Sequence, residues 1–167
     1  MKIIVGKFFE IKRIHEKTKF IPEDLELLML VHPKKIPERL LYSIDQFVLK
    51  GGKLLVFIDP NSETESVSPN SNQTQDESDN NSNLKDLLDK WGVELVENKV
   101  VGDLLSARRV QIGESDQPSV TDYIAWLDIK KDHMDDTHQA ISKVQRLTFA
   151  TSGFLKNNEK NKNIDFK

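Results

Sequence analysis

Two short apolar runs organise the N-terminal half of the chain. Leu27 to Val31 (LLMLV) stops at His32-Pro33, and Leu54 to Ile58 (LLVFI) stops at Asp59-Pro60. A half-exposed strand would alternate apolar and polar residues. Continuous runs of this length instead predict strands of a parallel sheet covered on both faces. Between them Ile36, Leu40, Leu41, Ile44, Phe47 and Val48 fall on one helical stripe. Pro37 suits the first helical turn, and Gly51 suits a left-handed C-terminal cap. Strand, helix, strand at this spacing predicts a right-handed βαβ unit.

The periodicity then breaks. Residues 61–83 (NSETESVSPNSNQTQDESDNNSN) offer almost nothing to bury and predict a long, disordered acidic loop. The α/β pattern resumes after it, with Asn83 as N-cap of a helix that turns Leu84, Leu87, Leu88 and Trp91 inward and ends at Gly92. Val93 to Val96 reads as a core strand. NKVVGD and ARRVQI read as further short strands, the latter at an edge because of Arg108 and Arg109. Asp122 to Ile129 (DYIAWLDI) reads as another strand. THQAISKVQRL predicts a helix with Ile141, Val144 and Leu147 inward, and LTFATSGFL closes the ordered part. The expectation is one α/β domain over residues 1–155, followed by a polar tail, 156–167.

Composition narrows the function classes. The chain has 167 residues, enough for one domain with a buried core, with 37% hydrophobic and 31% charged residues. No window approaches a bilayer-spanning run, and the N-terminus lacks the h-region and cleavage site of a signal peptide. Net charge is −3, which argues against a nucleic-acid partner. The 61–83 segment carries five acids and no base, so removing it from the net −3 leaves +2 on the remainder. There is no cysteine, hence no disulfide, thiolate metal site or cysteine nucleophile.

Gly51-Gly52-Lys53 resembles a phosphate cradle in composition only. In a P-loop the glycines follow a strand and open a helix, presenting amides to the phosphate. Here they close a helix, whose carbonyl end repels anions. His32 and Asp59 sit at the carboxyl ends of two strands, where open α/β sheets bind ligands. As a pair they are candidates for metal binding or acid–base work, although His-Pro and Asp-Pro are also ordinary strand-ending turns. Asp132, His133, Asp135, Asp136 and His138 fit no common metal spacing, and Asp136 or Thr137 reads better as a helix N-cap. Arg108 and Arg109 read as a solvated edge, with a phosphate or carboxylate grip as the alternative. Trp91 and Trp126 both read as core, with a stacking platform for a sugar as the alternative, more open at Trp126.

Five phrases in order resemble one family. IPEDLELLMLVHPKKIPERLLYSIDQFVLKGGKLLVFIDP, NLKDLLDKWGVEL, KVVGDLLSARRVQ, DYIAWLDI and VQRLTFATSGFL are similar to the soluble domain of GldG-type auxiliary proteins of ABC transporters, over about Ile21 to Leu155. The resemblance implies a flavodoxin-like three-layer α/β sandwich with a mostly parallel sheet, akin to class I glutamine-amidotransferase-like folds. It implies an extracytoplasmic, periplasmic domain of an inner-membrane protein, anchored by segments absent from this chain. It also implies an ABC permease and ATPase as partners. The 61–83 insert is longer and richer in Asn and Ser than the family's usual loop.

The expected function is therefore non-catalytic, with no cofactor and no metal. The domain would bind a partner or ligand, such as a small molecule or sugar, at a rim carrying His32, Asp59 and Trp126. The alternatives are a hydrolase using His32 and Asp59, or a structural scaffold of a membrane complex.

Overall fold

The computed structural model describes residues 6–63, 80–113 and 119–158. The expected acidic loop lies largely outside the described residues, as does most of the expected polar tail. The chain divides into two compact units, Met1–Phe57 and Ile58–Lys167.

The first unit holds strand β1 (Leu27–Val31), helix α1 (Glu38–Leu49) and strand β2 (Lys53–Phe57). The strands pair in parallel, Leu27 opposite Lys53 through Val31 opposite Phe57, so the βαβ expectation holds locally. Leu28, Leu40 and Ile44 are buried, Ile44 at 1% exposure. The opposite face of the two strands is open: Leu27, Met29, Val31, Leu55 and Phe57 are all exposed. Continuous apolar runs predict cover on both faces, and among the described residues that second cover is absent.

The helix ends as its sequence predicts. Gly51 has φ 90°, and its amide donates to Val48 O at 2.9 Å. The Gly52 amide donates to Phe47 O, also at 2.9 Å. A Cβ on Gly52 would come within 2.5 Å of the Phe47 ring, so glycine is needed there for space.

The second unit is mainly antiparallel. Helix α2 (Lys85–Lys90) leads into β3 (Val93–Leu95), which pairs antiparallel with the distant β7 (Leu155–Asn157). Strands β4 (Ala107–Ile112), β5 (Ser119–Lys130) and β6 (Arg146–Ala150) form an antiparallel sheet in that order. As its arginines suggested, β4 is an edge strand. Leu84, Leu87, Leu88 and Leu127 are the buried apolar residues of this unit among those described.

This architecture overturns the flavodoxin-like expectation. A mostly parallel sandwich needs several parallel strands joined by crossover helices. Among the described residues the only parallel pair is β1–β2. Two local readings fail for related reasons. NKVVGD is not a strand, and the stretch expected as a helix at THQAISKVQRL forms turns and then β6. Its apolar residues are sparse, and Asp135 organises a tight turn instead, its Oδ1 accepting from the Thr137 amide at 2.9 Å. Tertiary pairing of Arg146–Ala150 with β5 then takes the remaining residues into a sheet.

Candidate functional site

The residues singled out at the strand ends do not share one unit. His32 follows β1 in the first unit, with φ 48° and an amide that donates to Phe57 O at 2.8 Å. That bond extends the β1–β2 ladder by one residue past the strand. Asp59 and Trp126 belong to the second unit.

Asp59 builds a turn. Its Oδ1 accepts from the Asn61 amide at 2.9 Å, the two-residue side-chain-to-backbone loop that Asp favours. The Asp59 amide donates to Ser82 Oγ at 2.8 Å, and the Ser82 amide donates to Asp59 O at 2.7 Å. Ser82 is buried, so residues 59 and 82 close the base of the acidic segment as a hydrogen-bonded pair.

The same strap reaches the antiparallel sheet. Thr151 Oγ1 donates to Asn61 O at 3.0 Å, and the Trp126 indole N–H donates to Glu63 Oε1 at 3.0 Å. Trp126 also meets Tyr123 edge to face, with ring centroids 5.7 Å apart. The indole is thus positioned by both polar and aromatic contacts, which leaves it half-buried at the sheet margin. Asp59 and Trp126 are linked through residues 59–63.

An open concavity lies elsewhere on this sheet. An open groove of about 670 Å³ is lined by Arg108, Arg109, Lys130 and Arg146, with Asp122 and Asp128 as its acids. Arg109 Nε meets Asp122 Oδ1 at 3.3 Å, and Arg146 Nε meets Asp128 Oδ1 at 3.4 Å. Both contacts use Nε rather than the two-point fork that arginine offers carboxylates. Among the described residues, the terminal nitrogens of these arginines carry no hydrogen bond, and Arg108 and Lys130 form no ion pair. The four cations face two carboxylates, leaving the groove net positive. Lys130 and Arg146 are direct cross-strand partners, a like-charge juxtaposition that costs stability in a sheet.

One wall of the groove is apolar. Leu104 and Leu105 line it and are 71% and 93% exposed. Asp103 fixes their turn: Oδ1 accepts from the Leu105 amide at 3.0 Å and Oδ2 from the Ser106 amide at 3.1 Å. Hydrogen bonding from Ser106 and from the Leu105 amide holds the Asp103 carboxyl below its ordinary pKa.

Arg108 and Arg109 were visible in the sequence as an edge. Lys130 and Arg146 were not, because the register that pairs them spans a long turn. Two of the histidines and acids of residues 132–138 serve turns: His138 Nδ1 accepts from the Ala140 amide at 3.2 Å, and Asp135 Oδ1 accepts from Thr137. Among the described residues no group of three or more His, Asp or Glu is placed to hold a metal ion. No helix among them is long and apolar enough to cross a membrane.

No curated protein and no solved structure matches the chain. A family model described as "ABC-type uncharacterized transport system" matches residues 3–167. The five ordered phrases that pointed to transporter auxiliary proteins fall within that span, and the chain belongs to the ABC-type uncharacterized transport system family.

Proposed function

We propose that this protein is a non-catalytic, extracytoplasmic auxiliary component of an ABC transport system, working by binding alongside the system's permease and ATPase. Its binding face is the β4–β6 sheet, where the groove takes an anionic group and Trp126 stands at the margin. The observation that carries this reading is the uncompensated charge of the groove. Four cations line one open groove, and two of them, Arg108 and Lys130, stand outside the Arg109–Asp122 and Arg146–Asp128 pairs. A phosphate or carboxylate there accepts several charge-assisted hydrogen bonds and relieves the Lys130–Arg146 repulsion.

Family membership supports the transport setting. The engagement of Asp59 with Asn61 and Ser82 supports a structural rather than a proton-transferring role for that carboxylate. The test is a thermal-shift titration with glycerol phosphate, comparing the wild type with an Arg109→Ala/Arg146→Ala variant. The expected result is a concentration-dependent rise in Tm that the double variant loses. A wild type indifferent to phosphate and to carboxylates such as citrate would remove the groove from consideration.

A further inference from the structure

The groove pairs two features that a site for a small soluble anion does not need together. One is its set of unneutralised cations. The other is the Leu104-Leu105 tip, the most exposed apolar pair among the described residues. An exposed leucine alone is ordinary. Here two in succession are held outward by a turn whose carboxylate binds two backbone amides, and the chain then runs directly into Arg108 and Arg109. Asp103 spends both oxygens on that turn, so the tip is presented on a fixed support.

From this juxtaposition we infer that the groove docks on an acidic phospholipid surface, with Leu104 and Leu105 entering the acyl boundary and the cations of β4, β5 and β6 holding headgroup phosphates. The inference rests on the groove reading above and names its ligand. Apolar side chains flanked by Arg and Lys are the composition of an interfacial anchor, in which apolar burial and attraction to anionic headgroups add. Charge complementarity selects the occupant. The groove is net positive, and an acidic bilayer offers many phosphates at the depth where leucines next to them are buried. A soluble sugar phosphate would satisfy the arginines and leave both leucines in water. Arg108 and Lys130 bring cations from two different strands, and Arg146 brings a third from the far edge, so the contact spans the sheet rather than one loop.

The experiment is co-sedimentation of the whole chain with vesicles of phosphatidylcholine alone or phosphatidylcholine mixed with phosphatidylglycerol, with the glycerol phosphate titration in parallel. The wild type should bind the mixed vesicles, bind the neutral ones at least about ten-fold more weakly, and detach as salt is raised. A Leu104→Ser/Leu105→Ser variant should lose about ten-fold or more in vesicle affinity. Its glycerol phosphate response should fall far less than its vesicle affinity, because the cations are intact. Circular dichroism confirms that the variant is folded, and the milder Leu105→Ala should give an intermediate loss.

Four results overturn the inference. If the protein responds to glycerol phosphate but ignores acidic vesicles, the ligand is a soluble anion and the groove reading stands. If vesicle binding is unchanged by the leucine substitutions, the tip is not an anchor. Binding to permease in detergent but not to protein-free acidic vesicles would make the leucines a protein contact. Silence in both assays would sink the groove reading together with the lipid one.

Discussion

Lys130 and Arg146 stand directly opposite each other on adjacent antiparallel strands, two cations where a sheet ordinarily places a complementary pair. Asp128, bound by Arg146 Nε and by Thr148 Oγ1, offsets only part of that charge. Replacing Lys130 by Gln should therefore raise stability by roughly 0.2–1 kcal/mol in urea unfolding. The same substitution should weaken the response to glycerol phosphate. A loss of stability would mean that Lys130 has a supporting role that its cross-strand neighbour does not reveal.

Ser82 tests the strap at the base of the acidic segment. Its buried hydroxyl accepts from the Asp59 amide, so Ser82→Ala leaves that amide without its partner and should cost about 1–3 kcal/mol. Asp59→Asn keeps a side-chain oxygen for the Asn61 amide and should cost much less. Chemical denaturation of the two variants separates a turn-building carboxylate from a working acid. A turnover that Asp59→Asn abolished without any stability change would favour the hydrolase alternative.

Glu63 fixes the indole of Trp126. In a Trp91→Phe background, Trp126 is the only indole and its fluorescence reports on this contact. Glu63→Ala should cost about 1 kcal/mol, since the bond is charge-assisted but only part-buried. It should also shift the emission to the red as the indole N–H turns to water. An unchanged spectrum would show that Tyr123 packing alone holds the ring.

Asp103 gives the leucine tip a pH dependence. Its folded pKa lies below the ordinary aspartate value of 3.8, so folding favours the ionised form. The resulting stability is present above that ordinary value and is lost as pH falls through the lower folded one. Vesicle binding that depends on the tip should decline over the same acid window. Asp103→Asn should flatten the acid limb of the stability curve, measured by thermal unfolding from neutral pH downward. An identical limb in wild type and variant would assign the acid sensitivity to another carboxylate.

Gly51 and Gly52 separate two reasons for glycine. Gly51→Ala forces a side chain into a left-handed conformation at φ 90° and should cost about 1–2 kcal/mol. Gly52→Ala instead drives a methyl into the Phe47 ring. Adding Phe47→Leu should recover part of the Gly52→Ala loss but none of the Gly51→Ala loss. Double-mutant cycles read this coupling directly.

These glycines also show what was legible in the sequence. The β1–α1–β2 unit carries its own signals: helical spacing from Ile36 to Val48, a terminating Gly51, and apolar strands on either side. The α2–β3 segment is similarly local, closing at Gly92 with φ 81°. The antiparallel half depends on long-range pairing instead. Nothing near Val93 announces that it will pair with Asn157, and nothing in QRLTFA distinguishes a helix end from strand β6. The apolar runs misled because LLMLV and KLLVF have the composition of fully covered strands but keep one face exposed. The groove was half visible. Arg108 and Arg109 stood out as a pair, whereas Lys130 and Arg146 acquire meaning only from the register that faces them across β5 and β6.

The central claim is that the protein binds through the β4–β6 groove. Its most direct test is a backbone-amide NMR titration of the whole chain with glycerol phosphate. The account predicts shift changes concentrated at Ser106 to Arg109, around Lys130, and at Arg146 to Thr148. Changes clustered instead at His32 and Asp59, or none at any concentration, would contradict it.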